Sequence, residues 1–468
     1  MNNQRLELVA DFYEYTMSNG YLNKKMENQI AYFDVFFRKV PDEGGYAIIA
    51  GLEQIINYIK NLSFDEEDIN YLRKQNKFSE EFLNYLENFR FTGDVWAIPE
   101  GTVVFPNEPL ITVRAPIIQA QLLETMLLLT TNHQSLIATK TSRIVKEAQG
   151  RPVMEFGARR AHGINAAVEG ARAAIIGGAI GTSCTLSAKE FNVPASGTMA
   201  HSWVQSFDSE YEAFKTYAEI YPDDCTLLID TYNTIESGLP NAIKVFNEVL
   251  KPKGYKPKAV RLDSGDLAYL SKKVRKILDE AGYTECKICA TNSLDEYLIK
   301  SLIEQDAKID SFGVGENLIT AKSEPVFGGV YKLVGIEKDT KIIPKIKVSE
   351  NVVKVTNPGF KKVYRFYDNE SQKAIADVIA LSDEIIDERE YMIFDPQNPW
   401  KKKLIKDYTI RELQEKIFEN GKLIYKSPTL EEIAKKSKKE LNSIWEEVKR
   451  IENPHKYYVD LSKKLWIL

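Results

Sequence analysis

Between Arg151 and about Gly315, short β-rich runs alternate with stretches whose apolar residues recur three and four apart. This rhythm restricts the chain to parallel strands joined by crossover helices. The strand-like runs are 152–157, 193–197, 226–230, 258–263, 287–291 and 309–314, with helices starting near Ser202, Pro240, Leu267 and Leu294. About six or seven such units favour an irregular (β/α) barrel over an open doubly wound sheet. The fold class is therefore α/β.

What closes each run carries the chemistry, because parallel α/β folds bind ligands beyond strand C-terminal ends. Those ends read Glu155-Phe-Gly-Ala-Arg-Arg160, Ser196-Gly-Thr-Met-Ala-His-Ser202, Asp230-Thr-Tyr-Asn233, Arg261-Leu-Asp-Ser-Gly-Asp266, Thr291-Asn-Ser-Leu-Asp295 and Gly313-Val-Gly-Glu-Asn317. One polar ending is a turn; six form a rim. Arg159, Arg160 and Arg261 suit phosphate, which guanidinium binds bidentately, and helix N-termini add free amides. Asp230, Asp263 and Asp266 would repel phosphate unless they cap helices or hold a cation, and Mg²⁺ shared between carboxylate and phosphate resolves that conflict.

The chain has only four histidines. His455 lies in a Lys-rich tail, His133 in an apolar helical stretch, and His162 follows the arginine pair. His201 is better placed, at the end of a strand and the start of a helix marked by Trp203, Val204, Phe207, Tyr211 and Phe214. A phosphate beside it would also meet a helix N-terminus.

Several function classes fall away. There is no Gly-x-x-x-x-Gly-Lys-Ser/Thr loop, and Gly313-Val-Gly315 lacks the third glycine of a dinucleotide fingerprint. There is neither a Gly-x-Ser-x-Gly elbow nor a His-Glu-x-x-His pair. A net charge of -5, from 62 Lys plus Arg against 67 Asp plus Glu, points away from nucleic acid and anionic membranes. The start Met-Asn-Asn-Gln-Arg-Leu-Glu-Leu has no apolar core behind a basic region, and no run is long enough for a membrane span, so a cytoplasmic location is expected. Four cysteines suit a reducing compartment, and Cys286 and Cys289, lacking a second pair, read as buried small hydrophobes.

Three regions are expected: 1–145, mixed helix and strand; 146–330, the alternating catalytic domain; and 331–468, a β segment followed by a charged tail. In the first, helices are expected over 11–21 and 51–60, a strand over 32–38, short strands over 95–116 and a long helix over 119–148. In the last, strand signals cover 330–336, 345–355 and 362–367. From about Ser427 the tail reads as a helix with a solvated Lys/Glu face.

The motifs Asp11-Phe-Tyr-Glu-Tyr-Thr-Met17, Phe36-Phe-Arg-Lys39, Phe91-Thr-Gly-Asp94, Glu155-Phe-Gly-Ala-Arg-Arg-Ala161, Ser196-Gly-Thr-Met-Ala-His-Ser-Trp203, Val260-Arg-Leu-Asp-Ser-Gly-Asp-Leu267 and Gly328-Gly-Val-Tyr-Lys-Leu333 resemble those of nicotinate phosphoribosyltransferases, in the family's order over most of residues 6–370. The resemblance implies a type II phosphoribosyltransferase fold, an N-terminal α/β sandwich joined to an irregular α/β barrel, acting as a homodimer. It implies that nicotinate and phosphoribosyl pyrophosphate react while ATP phosphorylates a histidine, with Mg²⁺ present. His201 matches that histidine, Tyr13 and Thr198 match nicotinate contacts, and Arg261 matches a contact to the phosphoribosyl substrate. By similarity to nicotinamide-using relatives, Arg159 grips phosphate or stacks near the base, Asp263 meets ribose or Mg²⁺, and Gly315 meets the 5′-phosphate. Ser264 and Gly265 belong to the same substrate-binding motif, and Asp230 joins Asp263 as a candidate Mg²⁺ ligand.

The pattern departs from the family at two places. Where many members read Gly-Gly-x-Asp-Gly-Thr-Ser-Asn, this chain has Gly177-Gly-Ala-Ile-Gly-Thr-Ser-Cys184, so Ile180 and Cys184 inherit no role; Glu316 stands where Thr is usual. The alternatives are a nicotinamide phosphoribosyltransferase, disfavoured by Ser183 where those enzymes place an amide-binding Asp, and a non-catalytic phosphate-binding protein, disfavoured by intact Arg159, His201, Arg261 and Asp263.

Overall fold

The computed structural model describes residues 6–348, 356–386, 389–396 and 398–468. It divides into two compact units, Met1–Thr139 with Val326–Leu468, and Lys140–Pro325.

The first unit is built on a seven-stranded antiparallel sheet in the order Lys341–Pro344, Gly329–Lys338, Ile30–Phe37, Ile111–Pro116, Asp94–Ala97, Glu415–Glu419, Lys422–Leu423. Seven of the eight residues of Ile30–Phe37 are buried, which places this central strand between two packed layers. The helix Leu52–Asn61 buries Leu52, Ile55, Ile56 and Ile59, the spacing of one helical face. A second sheet orders Tyr408–Glu412, Lys361–Asp368, Ala374–Leu381 and Val459–Leu461. Arg365 inside it is fully buried, 2.6 Å from Asp377 and 3.3 Å from Glu440.

The tail therefore differs from a solvated helix. Its helix Leu430–Ser443 buries Leu430, Ile433, Ser437 and Glu440, and the chain then adds the strand Val459–Leu461 to the sheet. Residues 345–348 carry no strand, and 349–355 lie outside the described residues. The long helix expected over 119–148 is two helices, Ile117–Gln121 and Glu124–Glu147.

The second unit is the α/β layer. Its parallel strands run in the order Val153–Glu155, Ser311–Val314, Lys287–Ala290, Ala259–Leu262, Thr226–Leu228. Beyond the Val153 strand, single parallel bridges join Glu155 to Thr182 and Thr182 to Ala195. Seven extended segments thus succeed one another in chain order, as in a (β/α) barrel, and six of the seven seams carry backbone pairing. Among the described residues the seam between Ala195 and the Thr226 strand has none.

Apolar periodicity explains the crossover helices. Leu267–Glu280 buries Leu267, Ser271, Val274 and Leu278, one residue per turn. Close packing governs the Gly313 position, where a Cβ would stand 2.5 Å from the Phe156 ring. The single helix expected behind His201 is two, His201–Gln205 and Glu210–Ile220, because the Ser209 hydroxyl accepts a 3.2 Å bond from the Glu212 amide and starts a new helix. Among the described residues no helix is long and apolar enough to cross a membrane.

Candidate active site

Strand ends of the second unit converge on His201. Its Nδ1 lies 3.1 Å from Thr231 Oγ1. Its Nε2 lies 3.6 Å from Asp263 and 3.9 Å from Asp230. The imidazole is 37% exposed whereas Asp230 is 1% exposed, so a ligand meets the ring and the Asp263 side before it meets Asp230.

Asp230 does two things with its two oxygens. Oδ2 accepts 2.7 Å bonds from the Asp263 amide and the Ser264 hydroxyl, fixing the turn after the Ala259 strand. Oδ1 is buried with no hydrogen-bond partner. An orphaned buried carboxylate oxygen facing an imidazole and a second carboxylate is a costly arrangement that a cation would relieve. Among the described residues no cluster of three or more His, Cys, Asp or Glu could hold a metal by itself. One or two carboxylates completed by substrate phosphates is the arrangement Mg²⁺ commonly takes, and Asp230 with Asp263 fits it.

Arg261 is largely committed within the protein. Nε donates to Thr291 Oγ1 at 3.1 Å, one terminal nitrogen to Thr198 Oγ1 at 2.9 Å and Met199 O at 3.0 Å, and the other to Asp263 Oδ1 at 3.4 Å. Of the five guanidinium N–H groups, one remains for a ligand. Thr291 also bonds Asp263 through its hydroxyl, so it orients both the base and the acid.

The other expected residues occupy distinct places. Asp266 caps the helix Leu267–Glu280, accepting from Tyr269 N at 3.0 Å, the ordinary role of an acidic residue there. Gly265 has φ +78°, a left-handed turn that favours glycine. Arg159 is exposed on the turn Ala158–Arg160, and Gly315 precedes the short helix Glu316–Ile319. Glu316, which stands where Thr is usual in the family motif, pairs with Lys322 at 2.8 Å and approaches Arg160 at 3.8 Å. Lys322, then Arg160, hold its carboxyl below the usual range. Tyr13 belongs to the first unit, 44% exposed in the helix Phe12–Asn23; burial and then Glu124 raise its phenol.

His162 and His455 are exposed. Cys286 and Cys289 are buried free thiols, and burial pushes Cys286 up to about 12. Thr231 and Thr291, which contact the expected site residues His201, Arg261 and Asp263, carry no individual sequence signal beyond lying one to three residues past a strand end, and Thr182, an isolated bridge residue bonded to Glu155, carries none.

Comparison with known proteins agrees with this architecture. Residues 8–132 match the family described as nicotinate phosphoribosyltransferase (NAPRTase) N-terminal domain, 152–358 the nicotinate phosphoribosyltransferase (NAPRTase) family, and 360–468 the nicotinate phosphoribosyltransferase C-terminal domain. Nicotinate phosphoribosyltransferase of Bacillus subtilis (strain 168) is 46% identical over 462 residues, 98% of this chain and 94% of that protein. The crystal structure of human nicotinic acid phosphoribosyltransferase superposes with a TM-score of 0.87 at 26% identity, covering 98% of each chain. The nicotinate-nucleotide pyrophosphorylase structure from Pyrococcus furiosus shares the fold, with a TM-score of 0.72 at 24% identity over 95% of this chain and 97% of that one.

Proposed function

Because the chain belongs to the nicotinate phosphoribosyltransferase family, we propose that it joins nicotinate to phosphoribosyl pyrophosphate at the strand ends of its α/β unit, with ATP coupled through His201. The enzyme is a nicotinate phosphoribosyltransferase of NAD salvage; nicotinamide is not the favoured pyridine. The observation that carries the ATP reading is the imidazole of His201, exposed on one face and held between Thr231 and the Asp230/Asp263 carboxylates.

In the transfer, the bond from ribose C1 to pyrophosphate breaks, the pyridine nitrogen bonds C1, and pyrophosphate takes the electron pair. Arg261 offers its remaining N–H to an oxygen of the phosphoribosyl substrate, and its other bonds keep it from swinging away. Asp263 meets the ribose hydroxyls, Gly315 admits the 5′-phosphate, and Ser264 and Gly265 form the adjoining wall. Thr198 contacts nicotinate, Arg159 grips phosphate or stacks on the base, and for Tyr13, in the first unit, a nicotinate contact is what the family resemblance implies. Asp230 and Asp263 would hold Mg²⁺, which would supply positive charge to offset the negative charge gathering on the leaving pyrophosphate.

ATP supplies a phosphoryl group to a ring nitrogen of His201, the bond to ADP breaks, and water later releases phosphate. The net ATP-coupled, ligase-type reaction gives nicotinate mononucleotide, pyrophosphate, ADP and phosphate. Phosphohistidine adds negative charge and acceptor oxygens that order neighbouring loops. The assembly is a homodimer and the location cytoplasmic, readings that follow the family resemblance.

Purified protein given γ-labelled ATP is expected to carry label on His201, and His201→Ala none; label kept by the variant removes His201 as the acceptor. With phosphoribosyl pyrophosphate, Mg²⁺ and ATP, nicotinate is expected to be converted in preference to nicotinamide.

A further inference from the structure

Glu155 ends the first strand of the α/β unit and is fully buried, yet no step above uses it. One carboxylate oxygen accepts the Gly157 amide, at the start of the turn that carries Arg159. The other accepts the Thr182 hydroxyl at 2.6 Å, and that hydroxyl accepts the Cys184 amide at 2.9 Å. Its main chain makes the same connection, the Glu155 amide donating to Gly181 O and the Ser183 amide to Glu155 O, both at 2.9 Å. Thr182 passes the linkage on, since its amide donates to Pro194 O at 3.1 Å and the Ser196 amide donates to its carbonyl at 2.8 Å. The buried carboxylate therefore ties the Arg159 turn to the Ser183 segment, and the main chain of Thr182 carries the linkage on to the strand end leading to Thr198. Burial raises its carboxyl, while the Thr182 hydroxyl and the Gly157 amide lower it and favour the ionised acceptor.

We infer that Glu155 is a positioning residue that clasps the Arg159 turn to the Ser183 segment and so sets the shape of the pyridine subsite. A buried carboxylate whose oxygens both accept short bonds from different segments fixes their separation more tightly than backbone pairing at one isolated bridge. Glu155→Gln keeps the shape but turns one acceptor into an NH₂ facing the Thr182 hydroxyl, which already accepts from Cys184. Thr182→Val removes the hydroxyl and leaves the Gly157 half of the clasp. The inference rests on the proposed reading that Arg159 meets phosphate or base, and on the resemblance that puts Ser183 where nicotinamide-using relatives place an amide-binding Asp.

The test measures each folded variant by steady-state kinetics with both pyridines and by amide hydrogen exchange over residues 156–161 and 183–186. Either variant is expected to raise KM for nicotinate about tenfold, to leave kcat within about twofold, to narrow the preference over nicotinamide and to speed exchange in both segments. If Glu155→Gln does not fold, Thr182→Val decides. Wild-type KM, selectivity and exchange in a folded variant overturn the proposal. Faster exchange with unchanged KM and selectivity overturns its functional half. Arg159→Ala with wild-type KM for nicotinate and phosphoribosyl pyrophosphate removes the reading beneath it, an outcome distinguishable because the exchange result does not depend on that substitution.

Discussion

Thr231 Oγ1 stands 3.1 Å from Nδ1 of His201, and the preceding residue, Asp230, faces Nε2 of the same ring. Two consecutive residues at one strand end thus address both edges of an imidazole thirty positions earlier in the chain. Which ring nitrogen carries the proton depends on such partners. Thr231→Val keeps the volume and removes the hydroxyl, a hydrogen bond of about 0.5–1.5 kcal/mol. Phosphoryl transfer to His201, followed by rapid-quench labelling, is expected to slow by up to about tenfold, with Thr231→Ser close to wild type. Wild-type labelling rates in the valine variant would show that the hydroxyl contributes nothing.

Asp230→Asn preserves an oxygen to accept the Asp263 amide and the Ser264 hydroxyl while removing the charge. Activity is expected to require more Mg²⁺ for half-saturation, with the melting temperature within a few degrees of wild type. An unaltered Mg²⁺ titration removes Asp230 from the cation's ligands.

Asp266 and Asp263 are three residues apart but have separable duties. Asp266→Ala leaves the Tyr269 amide without its cap and is expected to cost about 1 kcal/mol in urea unfolding, with kcat essentially unchanged.

Glu14 is buried in the first unit and accepts from the Asp11 amide and from the Thr125 amide and hydroxyl. Burial is the largest influence and pushes its carboxyl up to about 7 from an ordinary value of 4.5. Between those values the folded chain holds a proton that the unfolded chain has lost, so this residue makes stability fall as pH rises from about 4.5 to about 7. Glu14→Gln is expected to flatten that part of a melting-temperature profile. Asp460, also raised to about 7 chiefly by burial, and Glu108 and Glu155, raised chiefly by burial, contribute to decline that remains. A slope unchanged in the glutamine variant would refute the assignment to Glu14.

Arg365 is buried between Asp377 and Glu440. Arg365→Ala strands two buried carboxylates and is expected to cost about 3–5 kcal/mol, read as a lower urea midpoint or loss of soluble protein.

Much of the site was legible because a parallel strand that ends in Asp, Arg or Gly-bearing turns announces itself locally, and Asp230, Asp263, Arg261 and His201 all sit at such ends. Thr231, Thr182 and Thr291 were not, since a threonine in or just beyond an extended segment is ordinary β chemistry until the tertiary fold brings a partner from another segment to its hydroxyl. The break behind His201 had a local signal that the apolar periodicity masked: Ser209-Glu-Tyr-Glu212 has the spacing of a helix start. Glu440 looked like one more solvated charge of the tail, and only the packing against Arg365 and Arg411 makes it internal. The strands Glu390–Asp395 and Asn398–Lys406 escaped because Lys401, Lys402 and Lys403 are successive exposed lysines, which erase the alternation by which a half-buried strand is recognised.

The unpaired seam between Ala195 and the Thr226 strand has a consequence for how this fold is joined. Six seams of the α/β unit are sewn by main-chain amides, which any sequence supplies. The seventh is spanned by side chains: His201 to Thr231, and Arg261 reaching past the Thr226 strand to Thr198 and Met199. Under the proposed phosphorylation of His201, architecture and reactivity would share one fastening, so that modifying the imidazole would also alter the contact joining it to Thr231.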